Sequence, residues 1–375
     1  MLHPFDDFPV HGGSQPVLHP TTASPNLYDR YFFDAYDAAG SLYVGVAFGV
    51  YANRGVVDGA VTVLHEGTQH SVLFSGRCPD DRTTLTLGPL RLEIVESFRR
   101  IRIVLDDDGP LAADLTFEAT TVAVTEPRFL QSRGTVPVFD YTRVTQFGRW
   151  SGHLRVEDVH LDAAALGLTG CRDRSWGVRP IGERAGRGAP QRGRPQFFWL
   201  WAPLRFDDLA VHVDANEDAA GRRLHEFAAL VPNLADRADD PTAPADVWRS
   251  LDHEIEWEPG TRRARRASVV LHPWSGSPER IDLEVLLTVP LVGLGYGHPE
   301  WGHGIWHGEF ERTTWRWRPT DLDPVASTSL HVHQLVRARW GERTGTGVLE
   351  LLAIGDHAPS GLSGLFDGAG PTAGR

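Results

Sequence analysis

Apolar and polar residues alternate in short runs along the whole chain. In Phe98–Leu105, isoleucine and leucine alternate with arginine, and a turn at Asp106–Gly109 leads to a second run at Leu111–Thr121. A repeat of two residues places the apolar side chains on one face of a β-strand. Gln196–Phe206 is apolar and aromatic almost throughout, as expected of a strand buried on both faces. The pattern therefore predicts a chain built mainly from β-strands.

Roughly seventeen strands are predicted, each bounded by turn residues. In the first half of the chain they are Ser41–Tyr51, Ala60–His65, His70–Gly76, Thr83–Leu87, Arg91–Val95, Phe98–Leu105, Leu111–Thr121 and His153–Leu161. In the second half they are Gln196–Phe206, Leu209–Asn216, Leu224–Val231, Leu251–Trp257, Ala267–His272, Arg280–Val289, Ile305–Trp317, Leu330–Trp340 and Gly347–Ile354. Asp29–Ala38 and Ala163–Leu166 are interpreted as short helical turns.

This series of strands indicates an all-β fold. Turn signals about every ten residues are typical of antiparallel sandwiches and barrels. So many strands exceed the capacity of one small barrel, so we expect two packed β-domains, covering residues 20–190 and 191–366. Ile181–Pro195, rich in Gly, Arg and Pro, is the predicted linker, and the chain after residue 366 is predicted to be a frayed tail.

Composition and charge exclude several classes of function. The net charge is −12, whereas nucleic-acid binding needs a basic surface. All 37 basic residues are arginine, so neither a Schiff-base lysine nor a phosphate-loop lysine is available. Cys78 and Cys171 are too few for a disulfide framework. Met1–Gly13 lacks a signal-peptide pattern and no apolar run approaches about 20 residues, so we expect no membrane span and a cytoplasmic location.

The first candidate for chemistry is the charged and aromatic cluster in Gly167–Arg179. Asp173 stands between Arg172 and Arg174, and Trp176 and Arg179 follow closely. An acid among guanidinium groups beside a large aromatic ring can bind or protonate a ligand, because neighbouring positive charge and burial shift a carboxyl pKa in opposite directions. The alternative is a buried Arg–Asp pair that ties a loop to the barrel wall, with the tryptophan as packing.

The second candidate is the histidine-rich stretch Gly295–Glu309. Its glycines argue against a helix, so we expect a loop that runs into the strand Ile305–Trp317. In that strand His307, Glu309 and Glu311 would share one face with two tryptophans, which favours a cavity or a domain contact over open solvent.

A metal site in this stretch is not predicted. His298, His303 and His307 are the right type of ligand but lack a recognised spacing, and the HExxH pattern is absent. His331 and His333 share a strand face and could join them, although paired strand histidines are more often surface residues.

Gly170–Gly177 resembles the Gly-x-x-Asp-[His/Arg]-x-Trp-Gly segment of the lipocalin-like superfamily that includes carotenoid 1,2-hydratase (hydroxyneurosporene synthase), AttH-like proteins and kievitone hydratase. In that superfamily the segment lies between strands. The resemblance implies two tandem calycin-type antiparallel β-barrels or sandwiches with a ligand cavity near their junction. It also implies hydration, isomerisation or cyclisation of an unsaturated hydrophobic substrate, usually without a cofactor. The hydratases commonly have Asp-His where this chain has Asp173-Arg174, and arginine cannot relay a proton at neutral pH. A relay would therefore need His298 or His303.

We therefore favour a cofactor-independent lyase, isomerase or cyclase acting on a terpenoid-, steroid- or polyketide-like substrate. The candidate catalytic residues are Asp173, His298, His303 and Glu309. The candidate substrate-binding residues are Arg172, Trp176, Arg179, Tyr296, Trp301, Trp306, His307 and Glu311. The alternative function is a non-catalytic lipocalin-like carrier of a hydrophobic small molecule. The 12 Trp and 17 Phe suit an apolar pocket in either case, although most should pack in the sheets.

Overall fold

The computed structural model describes residues 2–11, 20, 22–133, 136–182 and 193–370. The chain divides into two compact units. Unit 1 comprises Met1–Arg184, Leu234–Pro244 and Gly293–Trp317, and unit 2 comprises Ala185–Asn233, Ala245–Val292 and Arg318–Arg375. Each unit is built on one antiparallel sheet. The helical segments of the described residues are short 3-10 turns: Pro4–Asp7, Ala52–Arg54, Leu234–Arg237, Leu291–Leu294, Pro319–Asp321 and Ala358–Ser360. The predicted all-β class is confirmed.

The first thirteen strands belong to unit 1. They are β1 (Leu27–Tyr36), β2 (Leu42–Tyr51), β3 (Val56–His65), β4 (Thr68–Arg77), β5 (Thr86–Leu87), β6 (Leu90–Glu96), β7 (Arg100–Leu105), β8 (Leu111–Ala119), β9 (Val124–Thr125), β10 (Phe129–Arg133), β11 (Val136–Val156), β12 (Val159–Asp162) and β13 (Thr169–Val178).

The other ten strands follow in chain order. They are β14 (Phe197–Arg205), β15 (Ala210–Glu217), β16 (Arg223–Val231), β17 (Asp246–Val247), β18 (Ser250–Trp257), β19 (Ala264–His272), β20 (Glu279–Pro290), β21 (Phe310–Trp317), β22 (Val332–Trp340) and β23 (Arg343–Ile354). Strand β21 belongs to unit 1, and the other nine form unit 2.

The sheet of unit 1 runs in the order β21-β4-β3-β2-β1-β13-β11-β8-β7-β6-β5, and β9, β10 and β12 also pair with β11. Two features depart from simple sequence order. Strand β13 lies between β1 and β11, and β21 pairs with β4 although more than 200 residues separate them. The long strand β11 pairs with five others, which joins the two halves of the sheet.

An apolar core covers one face of the unit 1 sheet. Its members come from alternate positions of the strands, as the period of two requires. They include Phe33, Val46, Val61, Phe74, Leu115 and Trp150, each no more than 3% exposed. Three of the rings, Phe33, Phe117 and Trp150, meet edge to face, which is a favourable aromatic arrangement. The opposite face of β1–β4 and β13 carries polar residues, and it forms the candidate site described below.

Unit 2 contains one sheet in the order β17-β16-β15-β14-β23-β22-β20-β19-β18. Its core again takes alternate positions of the strands, with Phe198, Leu200, Val213, Leu283, Val336 and Leu351 buried. Strand β14 confirms the expectation for a run that is apolar throughout, because seven consecutive residues, Phe198–Leu204, are all buried.

Three predictions for individual elements are wrong. Asp29–Ala38 is not a helical turn, since it lies mostly in β1, which is buried on both faces and so shows no alternation. The strand predicted at Ile305–Trp317 begins only at Phe310. The cluster expected between strands lies within β13. Of the predicted linker, residues 183–192 lie outside the described residues.

Within the described part of the chain, none of the helical segments has the length and apolar character that crossing a bilayer requires.

Candidate functional site

Strand β13 divides the first predicted cluster between the two faces of the sheet. Successive side chains of a strand point to opposite sides. Arg172, Arg174 and Trp176 therefore share the face that carries the apolar core, and Asp173 lies on the other. The two arginines expected to surround Asp173 belong to the wrong face to do so.

Arg172 and Arg174 instead bind carboxylates on their own side of the sheet. Arg172 Nη1 contacts Asp7 Oδ1 at 2.5 Å, and its Nε donates to Gln146 Oε1 at 3.0 Å. Arg174 forms an ion pair with Asp29. Both arginines and Asp7 are at most 2% exposed. These contacts bind β13 to the N-terminal segment and to β1 through Asp7 and Asp29, so Asp173 takes no part in them.

The segment held in this way is the N-terminal one. Arg174 Nη2 donates to the carbonyl oxygen of Phe8 at 3.0 Å. The ring of Trp176 stacks on His11 with centroids 3.8 Å apart and planes 9° from parallel. Arg172 and Trp176, expected to bind substrate, are thus engaged by residues 7–11.

Asp173 lies on the polar face beside a different arginine. Its Oδ2 is 3.7 Å from Arg143 Nε, and the same Arg143 Nε donates to Glu126 Oε2 at 2.6 Å. Tyr28 lies close enough for its titration to respond to Asp173, and burial raises the pKa of Tyr28 to about 12 although Arg179 opposes this shift. Asp173 is 17% exposed, so its carboxyl group is partly accessible.

A row of directly paired residues crosses the polar face over seven strands. In spatial order the row, called here the polar row, is Arg143, Ser175, Arg30, Gly49, Asp58, Ser75 and Glu311. Residues paired in this way point to the same side of a sheet. Asp173 belongs to the next row on the same face, so it is a diagonal neighbour of Arg30, at about 7–8 Å between the backbones. Sequence analysis did not find Arg30 or Asp58.

Gly49 makes room for a hydrogen bond above the polar row. Tyr51 Oη donates to Asp58 Oδ1 at 3.1 Å, and both groups lie over Gly49, where an added Cβ would be 2.7 Å from Asp58 Oδ1. Burial raises the pKa of Asp58, although Arg30 and the hydrogen bonds of Gly304 and Tyr51 oppose the shift. The two partners thus favour a defined orientation of this carboxyl group.

The histidine-rich stretch covers the polar face. The Gly304 amide donates to Asp58 Oδ2 at 2.8 Å, and Ser75 Oγ donates to the Ile305 carbonyl oxygen at 2.8 Å. Arg30 Nη2 donates to the Leu294 carbonyl oxygen at 3.3 Å. The histidine-rich stretch and Asp173 therefore lie on the same face of the unit 1 sheet, while Arg172, Arg174 and Trp176 do not.

A small cavity lies between this stretch and the sheet. Its volume of about 10 Å³ corresponds to room for about one water molecule. Arg30, Asp58 and Ser75 line it from the polar row, together with the apolar Ala47, Ala60, Leu73 and Leu294. The covering stretch contributes Trp301, His303, Ile305 and His307, while Asp173 is not among the lining residues.

The three histidines of the stretch hydrogen-bond to backbone groups. His298 Nδ1 accepts from the Trp301 amide at 2.9 Å, and burial lowers the pKa of His298. His303 Nε2 is 3.1 Å from the Leu294 carbonyl oxygen, and His307 Nε2 is 3.1 Å from that of Glu300. These bonds hold the folded shape of a stretch that has no regular secondary structure.

The predicted tryptophans and acids of the stretch occupy two environments. Trp301 stacks on His307 at 3.9 Å and lines the cavity. Trp306 is 43% exposed, and Glu309 is 71% exposed in a two-point ion pair with Arg77 that lowers the pKa of Glu309. Glu311 lies on the polar face but is exposed at the edge strand β21. The structure does not bring Trp306 or Glu309 to the cavity.

Arg179 lies among tyrosines next to the polar row. Its guanidinium carbon is 4.3 Å above the ring of Tyr28, and Tyr51, Tyr141 and Tyr296 lie near enough to act on its charge. The ring of Tyr296 also packs below the guanidinium of Arg30, at 4.8 Å. Arg179 and Tyr296, two predicted binding residues, are therefore part of one aromatic and cationic group.

Unit 2 carries its own carboxyl–imidazole group. Glu350 accepts from His331 at 2.6 Å and from His333 at 3.0 Å, and these contacts lower the pKa of Glu350 although burial opposes the shift. His333 is 1% exposed and stacks near Trp201. The interpretation of this histidine pair as surface residues is wrong for His333, which the sheet buries.

Comparison with known proteins agrees with the fold. Kievitone hydratase from Nectria haematococca is 14% identical, with a TM-score of 0.53 over 86% of this chain and 88% of that chain. The structure of CghA with Sch210972 is 12% identical, with a TM-score of 0.50 over 88% and 89% of the chains. These similarities confirm the lipocalin-like, tandem β-barrel fold class.

No curated protein matches the sequence. A family model does match, and it spans residues 2–363, almost the whole chain. The chain therefore belongs to the Family of unknown function (DUF8625).

Proposed function

We propose that the protein is a cofactor-independent acid–base enzyme that hydrates, isomerises or cyclises an unsaturated hydrophobic substrate, with Asp173 as the proton donor. The observation that carries the proposal is the position of Asp173. It is a partly accessible carboxyl group on a largely buried polar face, beside Arg143, Tyr28 and Arg179. The similarity of fold to a hydratase, and to CghA, supports the reaction class by analogy only.

The chemistry needs a proton and a place for positive charge. Asp173 would transfer its proton to one carbon of a double bond, which uses the π electrons and leaves a cation on the other carbon. In a hydration, the oxygen of a water molecule then bonds to that cation, and its surplus proton returns to the Asp173 carboxylate. In an isomerisation, the cation instead loses a proton from the adjacent carbon, and the carboxylate accepts it.

Neighbouring groups would orient the acid and the substrate. Arg143 lies between Glu126 and Asp173 and so fixes the direction of the Asp173 carboxyl group. The rings of Tyr28 and Tyr296 pack against the guanidinium groups of Arg179 and Arg30 and would hold these two cations in place on the same side of unit 1. Arg179, with one guanidinium nitrogen that has no acceptor among the described residues, would hold a carbonyl or carboxylate oxygen of the substrate.

The test is turnover of unsaturated terpenoid and polyketide compounds in D₂O and in ¹⁸O-labelled water, followed by mass spectrometry. Wild-type protein should incorporate solvent deuterium at carbon, together with labelled oxygen if it hydrates. Asp173→Asn should reduce incorporation by about 10²–10⁴-fold, the usual contribution of a general acid. The matched control is Asp114→Asn, because Asp114 is an exposed aspartate paired with Arg102 on another part of the sheet.

Two results would contradict the proposal. One is Asp173→Asn protein that keeps full turnover. The other is an unmodified apolar molecule that is extracted with the protein at one per chain and survives long incubation unchanged, which would favour the carrier function instead.

A further inference from the structure

Arg30 is a buried cation with unused hydrogen-bond donors. It is 2% exposed, and its Nη2 donates to the Leu294 carbonyl oxygen. Its Nε and Nη1 have no acceptor among the described residues. Because leaving N–H groups of a buried charge without acceptors is expensive, the space next to them should receive an acceptor atom.

The cavity next to Arg30 has the size and walls for one such atom. It holds about one oxygen-sized group, since its volume is about 10 Å³. One side is polar, with Arg30, Asp58 and Ser75, and the other is apolar, with Ala60 and Leu73. An atom placed there would be largely shielded from water, which strengthens its interaction with a guanidinium group.

The one carboxyl group that lines this cavity already has its partners, and further guanidinium groups lie close to it. Arg30 and Arg179 both act on Asp58, and Arg54 donates to the Gly304 carbonyl oxygen at 2.8 Å on the same stretch. The one carboxyl group that lines the cavity, Asp58, already binds Tyr51 and the Gly304 amide. Because Asp58 is already engaged and Arg30 keeps two donor atoms without an acceptor among the described residues, the cavity favours a guest that accepts hydrogen bonds, and a negatively charged oxygen accepts most strongly from a guanidinium group.

We propose that this cavity is an anion-binding subsite in which Arg30 holds one oxygen of a carboxylate or an enolate. The subsite lies diagonally across one strand pair from Asp173, on the same face of the sheet. Anion binding by Arg30 does not depend on the proposed function, but the identity of the natural ligand does. If the protein is the proposed enzyme, that ligand is a substrate with an acidic oxygen next to its unsaturated carbon skeleton. Arg30 would anchor that oxygen while Asp173 delivers its proton to carbon.

The test uses formate as the probe and formamide as its neutral counterpart, with binding measured by isothermal titration calorimetry near pH 7. Wild-type protein should bind formate in preference to formamide. Arg30→Gln should weaken formate binding by about tenfold or more, the effect of losing a charged hydrogen bond. The control is Arg149→Gln, because Arg149 is 65% exposed and paired with Glu118 on the surface.

A second variant keeps the test decisive if Arg30→Gln fails to fold. In Asp58→Asn the amide oxygen can still accept from the Gly304 amide and the amide nitrogen can donate to Tyr51 Oη, but the side chain carries no negative charge, so this variant should bind formate at least as tightly as wild type. Weaker binding by Asp58→Asn, or equal affinity of wild type for formate and formamide, would overturn the inference.

The result is separable from the proposed function. If Asp173→Asn abolishes turnover while Arg30→Gln leaves formate binding intact, the proposed subsite is wrong and the proposed enzyme function is supported. If formate binding depends on Arg30 and no turnover is found, the subsite stands without the enzyme.

Discussion

At the scale of single residues, alternation along β13 decides what each member of the first cluster does. Arg172, Arg174 and Trp176 bind the N-terminal segment on the core side, whereas Asp173 faces the polar side. The residues that appear as one cluster in the sequence therefore belong to two separate groups, one on each face of the sheet. The proposed chemistry concerns the polar half only, and the core half packs against the N-terminal segment.

This division makes Arg172 a stability residue. Arg172→Met should lower the free energy of unfolding by about 3–5 kcal/mol, because Asp7 would be left as a buried, unpaired charge. Urea denaturation measures the change. The control is Arg149→Met, which removes the exposed ion pair of Arg149 with Glu118 and should change the free energy of unfolding by less than about 1 kcal/mol. Equal effects of the two substitutions would show that the Arg172–Asp7 pair contributes nothing special.

Gly49 is the second residue with a defined role. Gly49→Ala would place a Cβ where Tyr51 Oη and Asp58 Oδ1 now meet, so their hydrogen bond should break. We expect a loss of about 1–3 kcal/mol in stability, typical of overpacking. Tyr51→Phe removes the same hydrogen bond without adding volume, so it should cost less than Gly49→Ala. The opposite order in urea denaturation would contradict this account.

At the scale of elements, the sequence predicts strands well where one face is apolar and the other polar. The runs at Arg91–Val95, Leu111–Thr121 and Leu251–Trp257 agree with the structure within about two residues. Strands β1 and β13 were not predicted, because buried charged residues such as Arg30 and Arg174 interrupt the apolar pattern that marks a strand. Arg174, for example, forms its ion pair with Asp29, which lies far away in the chain, and no local pattern contains such a pair.

The same reason explains what was missed at the site. Asp173 and the histidine-rich stretch were both found because their composition is unusual. Asp58 is the one acidic residue of β3, Arg30 follows Asp29 in β1, and only the pairing of β1, β2 and β3 aligns Arg30, Gly49 and Asp58. A lone charge inside an otherwise apolar strand is the one signal that could have indicated Asp58.

The covering stretch depends on close approach at Gly293. A Cβ at this position would lie 2.8 Å from Gln69 Nε2 and 2.9 Å from Thr62 Oγ1, too close for either contact. Gly293→Ala should therefore lift the stretch from the sheet. Hydrogen exchange of the Gly304 amide, which is bonded to Asp58, should become faster. Unchanged protection of that amide would show that the stretch tolerates the methyl group.

At the scale of the whole molecule, stability at low pH should depend on a carboxyl group of unit 2. Glu217 is 4% exposed and binds His253 at 2.8 Å, His357 at 2.7 Å and Arg223 at 3.1 Å. Burial alone would raise the pKa of Glu217, but the hydrogen bonds and charges of these partners lower it to about 2.

Because this pKa is depressed in the folded state, the stabilisation is present above the ordinary value near 4.5 and is lost as the pH falls toward 2. The loss amounts to about 3 kcal/mol. Glu217→Gln should flatten the fall in stability over this window, measured by urea denaturation at several pH values. Glu342→Gln, at an exposed position, should leave the slope unchanged. A Glu217→Gln slope identical to that of wild type would contradict the role of Glu217.

The pairing of β21 with β4 also sets an order of events during synthesis. Residues 310–317 complete the outer side of the first sheet, yet they leave the ribosome long after its other strands. Until then the outer edge of β4 has unpaired backbone amide and carbonyl groups, and such an edge can pair with a strand of another chain and cause aggregation. A truncated product that stops before residue 310 should accordingly be the form of this protein that aggregates and that holding chaperones retain.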